Sequence, residues 1–92
     1  METFRMDGDN NRIYFRNLNR VSDDEEYENI MDILENSGCD IGDTLTGPDC
    51  DIVHCEYEGI LFDVVRTVDG EGSFIYCEDE RDTDQIENIF IE

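Results

Sequence analysis

Glu25, Glu28, Asp32 and Glu35 recur at intervals of three and four residues. On a helix that spacing stacks them in one row, with Cβ atoms about 6 Å apart. Glu56 and Glu58 stand two apart. On a strand they would share one face about 7 Å apart, from a rise of roughly 3.3 Å per residue. Glu78, Asp79, Glu80, Asp82 and Asp84 form a third cluster. Rows at these intervals match the scale on which phosphates repeat along a nucleic-acid strand. The chemistry they offer is binding. A carboxylate accepts charge-assisted hydrogen bonds, often in bidentate pairs with Arg. These residues are the candidate partner-binding set.

Other chemistry has less to work with. Asp7, Asp9 and Asn11 match the opening of a calcium loop, but Arg12 stands where that loop needs Gly and Leu18 where it needs a bidentate Glu. A hairpin turn explains the segment better. Cys50, His54 and Cys55 are close in sequence without any C-x-x-C pair, and on a strand His54 and Cys55 point to opposite faces. No metal site and no cofactor are expected. The same divergence removes Cys55 and His54 as a catalytic dyad. With one His, no Lys and no Gly-rich phosphate loop, no catalytic residues are assigned and the chain is read as not an enzyme.

The charge supports the binding reading. The chain has 26 Asp and Glu against six Arg in 92 residues, a formal net charge of -20. Residues 1–21 carry Arg5, Arg12, Arg16 and Arg20 against Glu2, Asp7 and Asp9, a net +1; the remainder carries Arg66 and Arg81 against 23 carboxylates, a net -21. Such a charge repels itself and weakens the compact state. It selects a basic partner and disfavours nucleic acid and anionic membranes. A solvated face or adaptation to high salt is the plain alternative; salt adaptation ordinarily brings Ala, and this chain has none. The stretch Met1–Met6 lacks the apolar run of a signal peptide, and no apolar run approaches a membrane span, so a cytoplasmic location is expected. Cys39, Cys50, Cys55 and Cys77 are then expected as reduced thiols.

Several elements must position these residues. Residues 3–6 and 12–18 read as a first hairpin around the turn at 7–11. Ser22 and Glu25 form a capping box for a helix from Asp23 to about Asn36, with Tyr27, Ile30, Met31 and Leu34 as its buried stripe and Gly38 as its stop. Residues 39–50 read as a loop with a short extended piece. Three strands follow: 52–57, 60–68 and 73–78, joined by turns at Glu58-Gly59 and at 69–72. A last helix is expected from Asp82 or Thr83, with Asp82 and Gln85 as a second capping box and Ile86, Ile89 and Phe90 inward. The expected fold is one small α+β domain over residues 1–92. Its antiparallel sheet has four to five strands in the order ββ-α-βββ-α, with two helices packed on one face. Tyr14, Phe15, Tyr57, Phe62, Phe74 and Tyr76 are expected mostly in the core. If the helices leave one face open, Tyr14 or Tyr76 would anchor a partner or a homodimer.

The chain resembles small acidic inhibitor proteins in composition and size. The expected function is a non-enzymatic inhibitor that mimics nucleic-acid phosphates. Its expected partner is a basic protein with a nucleic-acid-binding groove, a nuclease or CRISPR effector of host defence, as in anti-restriction or anti-CRISPR proteins of phage. An immunity protein or antitoxin for a basic toxin is the first alternative. An acidic chaperone-like module for basic proteins is the second.

Overall fold

The computed structural model describes residues 2–16, 21–67 and 72–91. Along the chain it forms β1 (Thr3–Phe4), β2 (Arg12–Phe15), α1 (Asp23–Asn36), β3 (Asp40–Thr46), β4 (Cys50–Tyr57), β5 (Ile60–Thr67), β6 (Ser73–Cys77), α2 (Glu80–Glu87) and a 3₁₀ turn, Asn88–Phe90. All six strands join one antiparallel sheet in the order β1-β2-β6-β5-β4-β3. The α+β class and the helices on one face are as expected. The sheet has one strand more, because residues 40–46 pair with β4. The radius of gyration, 12.2 Å, is the value of about 12 Å that a folded chain of this length takes.

Alternation within the strands decides which face is covered. Ile13, Phe15, Val53, Cys55, Ile60, Phe62, Val64, Ile75 and Cys77 all point to one side and are buried there. Ile30 and Leu34 of α1, Ile86 of α2 and Phe90 of the 3₁₀ turn close over them. The two helices reach β6 from the same side, and none of the described helices lies on the opposite face.

Local chemistry explains the ends of α1. The Ser22 hydroxyl accepts from the Glu25 amide at 3.2 Å, so the expected N-cap is in place. At the far end Gly38 takes φ +87, Cys39 N–H donates to the Leu34 carbonyl and Gly38 N–H to that of Glu35, both at 3.1 Å. That double bond is a Schellman stop, and Leu34 and Cys39 share the core beneath it. The expected second cap is displaced. Asp79, not Asp82, caps α2 by accepting from Arg81 N–H at 3.0 Å, so the helix begins at Glu80. Thr83 thereby turns inward and is buried beside Ile86.

The first hairpin is shorter than expected, pairing Thr3 with Phe15 and Phe4 with Tyr14. Residues 17 and 18 of that expected strand, Arg20, Val68 and the tip of the turn at 69–71 lie outside the described residues. The turn after β4 has φ +51 at Glu58 and φ +85 at Gly59. Two positive values in a two-residue loop are the signature of a type I′ hairpin.

β3 was concealed in the sequence by its position at the sheet edge. Every residue in it is exposed, so no face is marked by apolar alternation. Its register with β4 slips between Ile41 and Thr44. A Cβ at Gly42 would lie 2.8 Å from the His54 carbonyl oxygen, which is backbone and does not yield. Gly42→Ala is therefore expected to cost about 1–3 kcal/mol, as overpacking does. Amide hydrogen exchange should be faster in β3 than in the interior strands β4, β5 and β6; equal exchange in these four would refute this account of the edge.

Candidate functional site

The helical row forms as the spacing requires. Glu25, Glu28, Asp32 and Glu35 are all exposed on the side of α1 away from the sheet. Among the described residues no cation lies within ion-pair distance of any of the four. The row costs stability. Glu25 faces Glu28, Glu28 faces Asp32 and Asp32 faces Glu35, and each like-charge contact opposes the helix by about 0.2–0.5 kcal/mol. Asp23 to Glu26 suit the positive N-terminal end of the helix, but its last turn holds no basic residue and Glu35 sits there instead.

The third cluster gathers at the start of α2. Glu78, Asp79, Glu80 and Asp82 line an open depression with Asn11, Gly59 and Leu61. Asn11 organises it by donating its side-chain amide to the carbonyls of Cys77 at 2.9 Å and Glu78 at 3.0 Å. Not all of these carboxylates are free. Asp79 accepts from the Arg81 guanidinium at 3.1 and 2.8 Å. Those bonds hold its acid at about 2, so it stays charged through the physiological range. Asp84 meets Arg5 at 2.6 Å, and Arg5 also reaches Glu87 at 3.1 Å.

The short row of Glu56 and Glu58 does not form. Glu56 lies in β4 opposite Leu61. Glu58 belongs to the turn, where its left-handed backbone points it toward α2, and it accepts from the Gln85 amide at 3.3 Å. One carboxylate of α1 faces inward. Glu26 is only 5% exposed, and its Oε1 accepts from the Ser73 amide at 3.2 Å, tying α1 to the start of β6. The acids beside it give no sign of this, because the difference lies in what the folded sheet places opposite.

The aromatic set divides in two. Phe15, Phe62 and Phe90 are core, with Phe15 and Phe90 edge to face at 5.0 Å. Phe4, Tyr14, Phe74 and Tyr76 lie instead on the open face, half-buried. Phe4 and Tyr14 stack with centroids 5.5 Å apart, and Tyr14 meets Phe74 at 5.6 Å. The expectation that Tyr14, Phe74 and Tyr76 belong to the core is corrected by the strand order. β6 sits between β2 and β5, which aligns these rings on the side the helices do not cover.

His54 and Cys55 diverge as adjacent strand residues must. His54 is exposed, with Nδ1 2.5 Å from Asp63 Oδ1, while Cys55 is buried. Asp9 meets Arg12 at 2.7 Å and accepts from Asn11 N–H, consistent with a turn. Among the described residues no three His, Cys, Asp or Glu converge to hold a metal ion. None of the described helices is long and apolar enough to cross a membrane. Compared with protein-family models, curated proteins and solved structures, the chain matches none.

All four cysteines are free. Burial raises the thiols of Cys55 and Cys77 from 9.0 to about 11. Folding therefore favours the neutral thiol. The stability this contributes is complete below about pH 9 and lost as pH rises through about 11, by about 2–3 kcal/mol per thiol. The urea midpoint should fall steeply across that window, and Cys77→Val should reduce the slope. An unchanged slope in that variant would remove Cys77 as its source.

Proposed function

We propose that the chain is a non-enzymatic inhibitor whose carboxylates take the place of nucleic-acid phosphates in the basic groove of a host defence nuclease or CRISPR effector. The observation that carries this reading is the row Glu25, Glu28, Asp32 and Glu35. It is exposed, carries no counter-charge from the described chain, and opposes the stability of its own helix. A row serving only solubility would gain nothing from such regular alignment. From Glu25 to Glu35 the helix rises about 15 Å, at about 1.5 Å per residue. That length presents charge along several successive contacts of a groove built for one strand. The cluster at Glu78, Glu80 and Asp82 supplies a second acidic surface.

The mechanism is competitive exclusion. Long-range attraction accelerates encounter, and the spacing of the row sets which groove it fits. Added salt screens this attraction and weakens binding. The test is recovery of binding proteins from host lysate at 50 and 500 mM salt, followed by competition of the recovered protein against labelled duplex DNA. The expected result is a partner retained only at low salt, with inhibitor and DNA mutually exclusive. Simultaneous binding of both would sink the mimicry, as would affinity that ignores salt.

A further inference from the structure

β3 ends the sheet on one side, and β4 is its one neighbour in it. All of its residues, Asp40–Thr46, are exposed. Along its outer side the backbone N–H and C=O groups face no strand of the sheet. The hairpin fixes which groups these are. Gly47 N–H donates to the Cys50 carbonyl at 2.9 Å, so these two residues form a hydrogen-bonded pair. Such pairs alternate along an antiparallel ladder. The backbone of Leu45, opposite Ile52, is therefore bonded to β4, and the N–H and C=O of Thr44 and Thr46 point outward. The opposite edge offers less: β1 has two residues, and Thr3 and Arg5 are tied there to Glu87.

The surroundings of this edge are acidic throughout. Residues 40–57, which are β3, its turn and β4, carry Asp40, Asp43, Asp49, Asp51 and Glu56 with no Arg and no Lys. Among the described residues none of these five carboxylates has a cation within ion-pair distance. Arg66 stands opposite Asp51 on β5 but meets Asp24 instead, and His54 is paired with Asp63. The register slip in β3 places Asp40 and Leu45 on the same face, across from Glu56 and Ile52. Charge and a bulge are devices that stop like edges from pairing. A second copy joined here would add five further carboxylates to the five present, with no cation between them. A nucleic-acid strand is repelled in the same way. A strand that carries Lys or Arg is attracted.

We infer that β3 receives an extended Lys- and Arg-rich segment of a protein partner, which adds to the sheet as a further strand. Thr44 and Thr46 donate their N–H groups to its carbonyls and accept from its N–H groups. Main-chain bonds of this kind supply affinity, and the side chains on either side supply selection. Beside Leu45, 55% exposed, an apolar side chain is covered. Beside Asp40 and Asp43 a basic side chain finds a carboxylate with no other cation in reach, and pairs with it by charge-assisted hydrogen bonds. The edge is separate from the row on α1, which lies on the side of the helix away from the sheet. The inference therefore goes beyond the phosphate-mimic reading and does not rest on it.

The test uses two peptides of equal charge: an eight-residue peptide of alternating Lys and Val, and the same peptide N-methylated at every residue. Methylation removes the backbone donors and keeps the side chains. Calorimetric titration of the whole chain at 50 mM NaCl should show the first peptide binding at least tenfold more tightly than the second. On saturation with the first, amide exchange at Thr44 and Thr46 should slow at least tenfold. Thr46→Pro removes an outward N–H at an edge, where Pro is tolerated, and should weaken binding of the first peptide at least tenfold. Asp40→Asn with Asp43→Asn should weaken it as well. Glu28→Lys with Asp32→Lys and Glu35→Lys should keep the protection at Thr44 and Thr46; its loss there would place the peptide on α1 and overturn the inference. Equal affinity for the two peptides overturns it too, because charge alone then accounts for the binding. So does unchanged exchange at Thr44 and Thr46 in the saturated wild-type protein.

Discussion

Replacing Glu28, Asp32 and Glu35 together by Lys is expected to weaken binding to the basic partner about 10³-fold or more near physiological salt. Each of the three carboxylates would otherwise make a charge-assisted contact, and hydrogen bonds to charged groups contribute about 1.5–3 kcal/mol. Loss of all three removes more than 4 kcal/mol, and every 1.4 kcal/mol is tenfold. The introduced Lys adds repulsion against the groove. Stability should move the other way. The net charge falls from -20 to -14, since each of three reversals changes it by two, and the last turn of α1 gains the cation it lacks. A thermal midpoint that rises while affinity collapses identifies a binding row. Unchanged inhibition would move the site to the surface formed by Glu78, Glu80 and Asp82. For that reason Glu78→Lys with Glu80→Lys is the companion variant; Asp79 is unsuitable because it also caps α2.

Phe90→Ala is expected to have the largest effect on the fold. Phe90 is 2% exposed and meets Phe15 edge to face, fastening the 3₁₀ turn to β2. Removal of a buried Phe side chain costs about 3–5 kcal/mol. A small domain has about 5–15 kcal/mol in total, and this one gives up part of that to self-repulsion. The outcome should therefore depend on salt. At 20 mM NaCl the variant should be largely unfolded by circular dichroism. At 0.5 M, where screening shortens the range of the repulsion to about 4 Å, it should recover native ellipticity. Wild-type protein should gain stability with salt across the same range. If the variant is folded equally well at both concentrations, the charge does not tax the fold in the way its magnitude suggests.

The readability of this chain varied with how local each cause is. Ser22, Glu25 and Gly38 marked both ends of α1 because caps act through neighbours within four residues. Glu58-Gly59 marked a turn, and Val53, Cys55, Phe62 and Val64 marked a buried face by alternation. Residues 40–46 read only as part of a loop with a short extended piece, whereas they form a seven-residue strand. An edge strand bonded on one side and exposed throughout has no alternating burial to betray it. The start of α2 was ambiguous for another reason. Asp79 and Asp82 are both chemically able to cap a helix, and the choice followed from tertiary contacts: Asn11 holds the chain at Cys77 and Glu78, and Thr83 and Ile86 turn into the core.

The sequence by itself determined that this is a small α+β domain of extreme negative charge, with one exposed row of carboxylates on its first helix. Those properties depend on composition and on spacings of three or four residues. Only the tertiary structure decided which acids are free. Glu26 is buried against Ser73, Asp79 and Asp84 are held by Arg81 and Arg5, and Glu56 and Glu58 part at a turn. It also decided that the aromatic side chains form a surface. The insertion of β6 between β2 and β5 brings Tyr14 beside Phe74, although 60 residues separate them in the chain. No local rule carries that information, because it follows from burying one face of β2, β6, β5 and β4 together, which leaves the other face open.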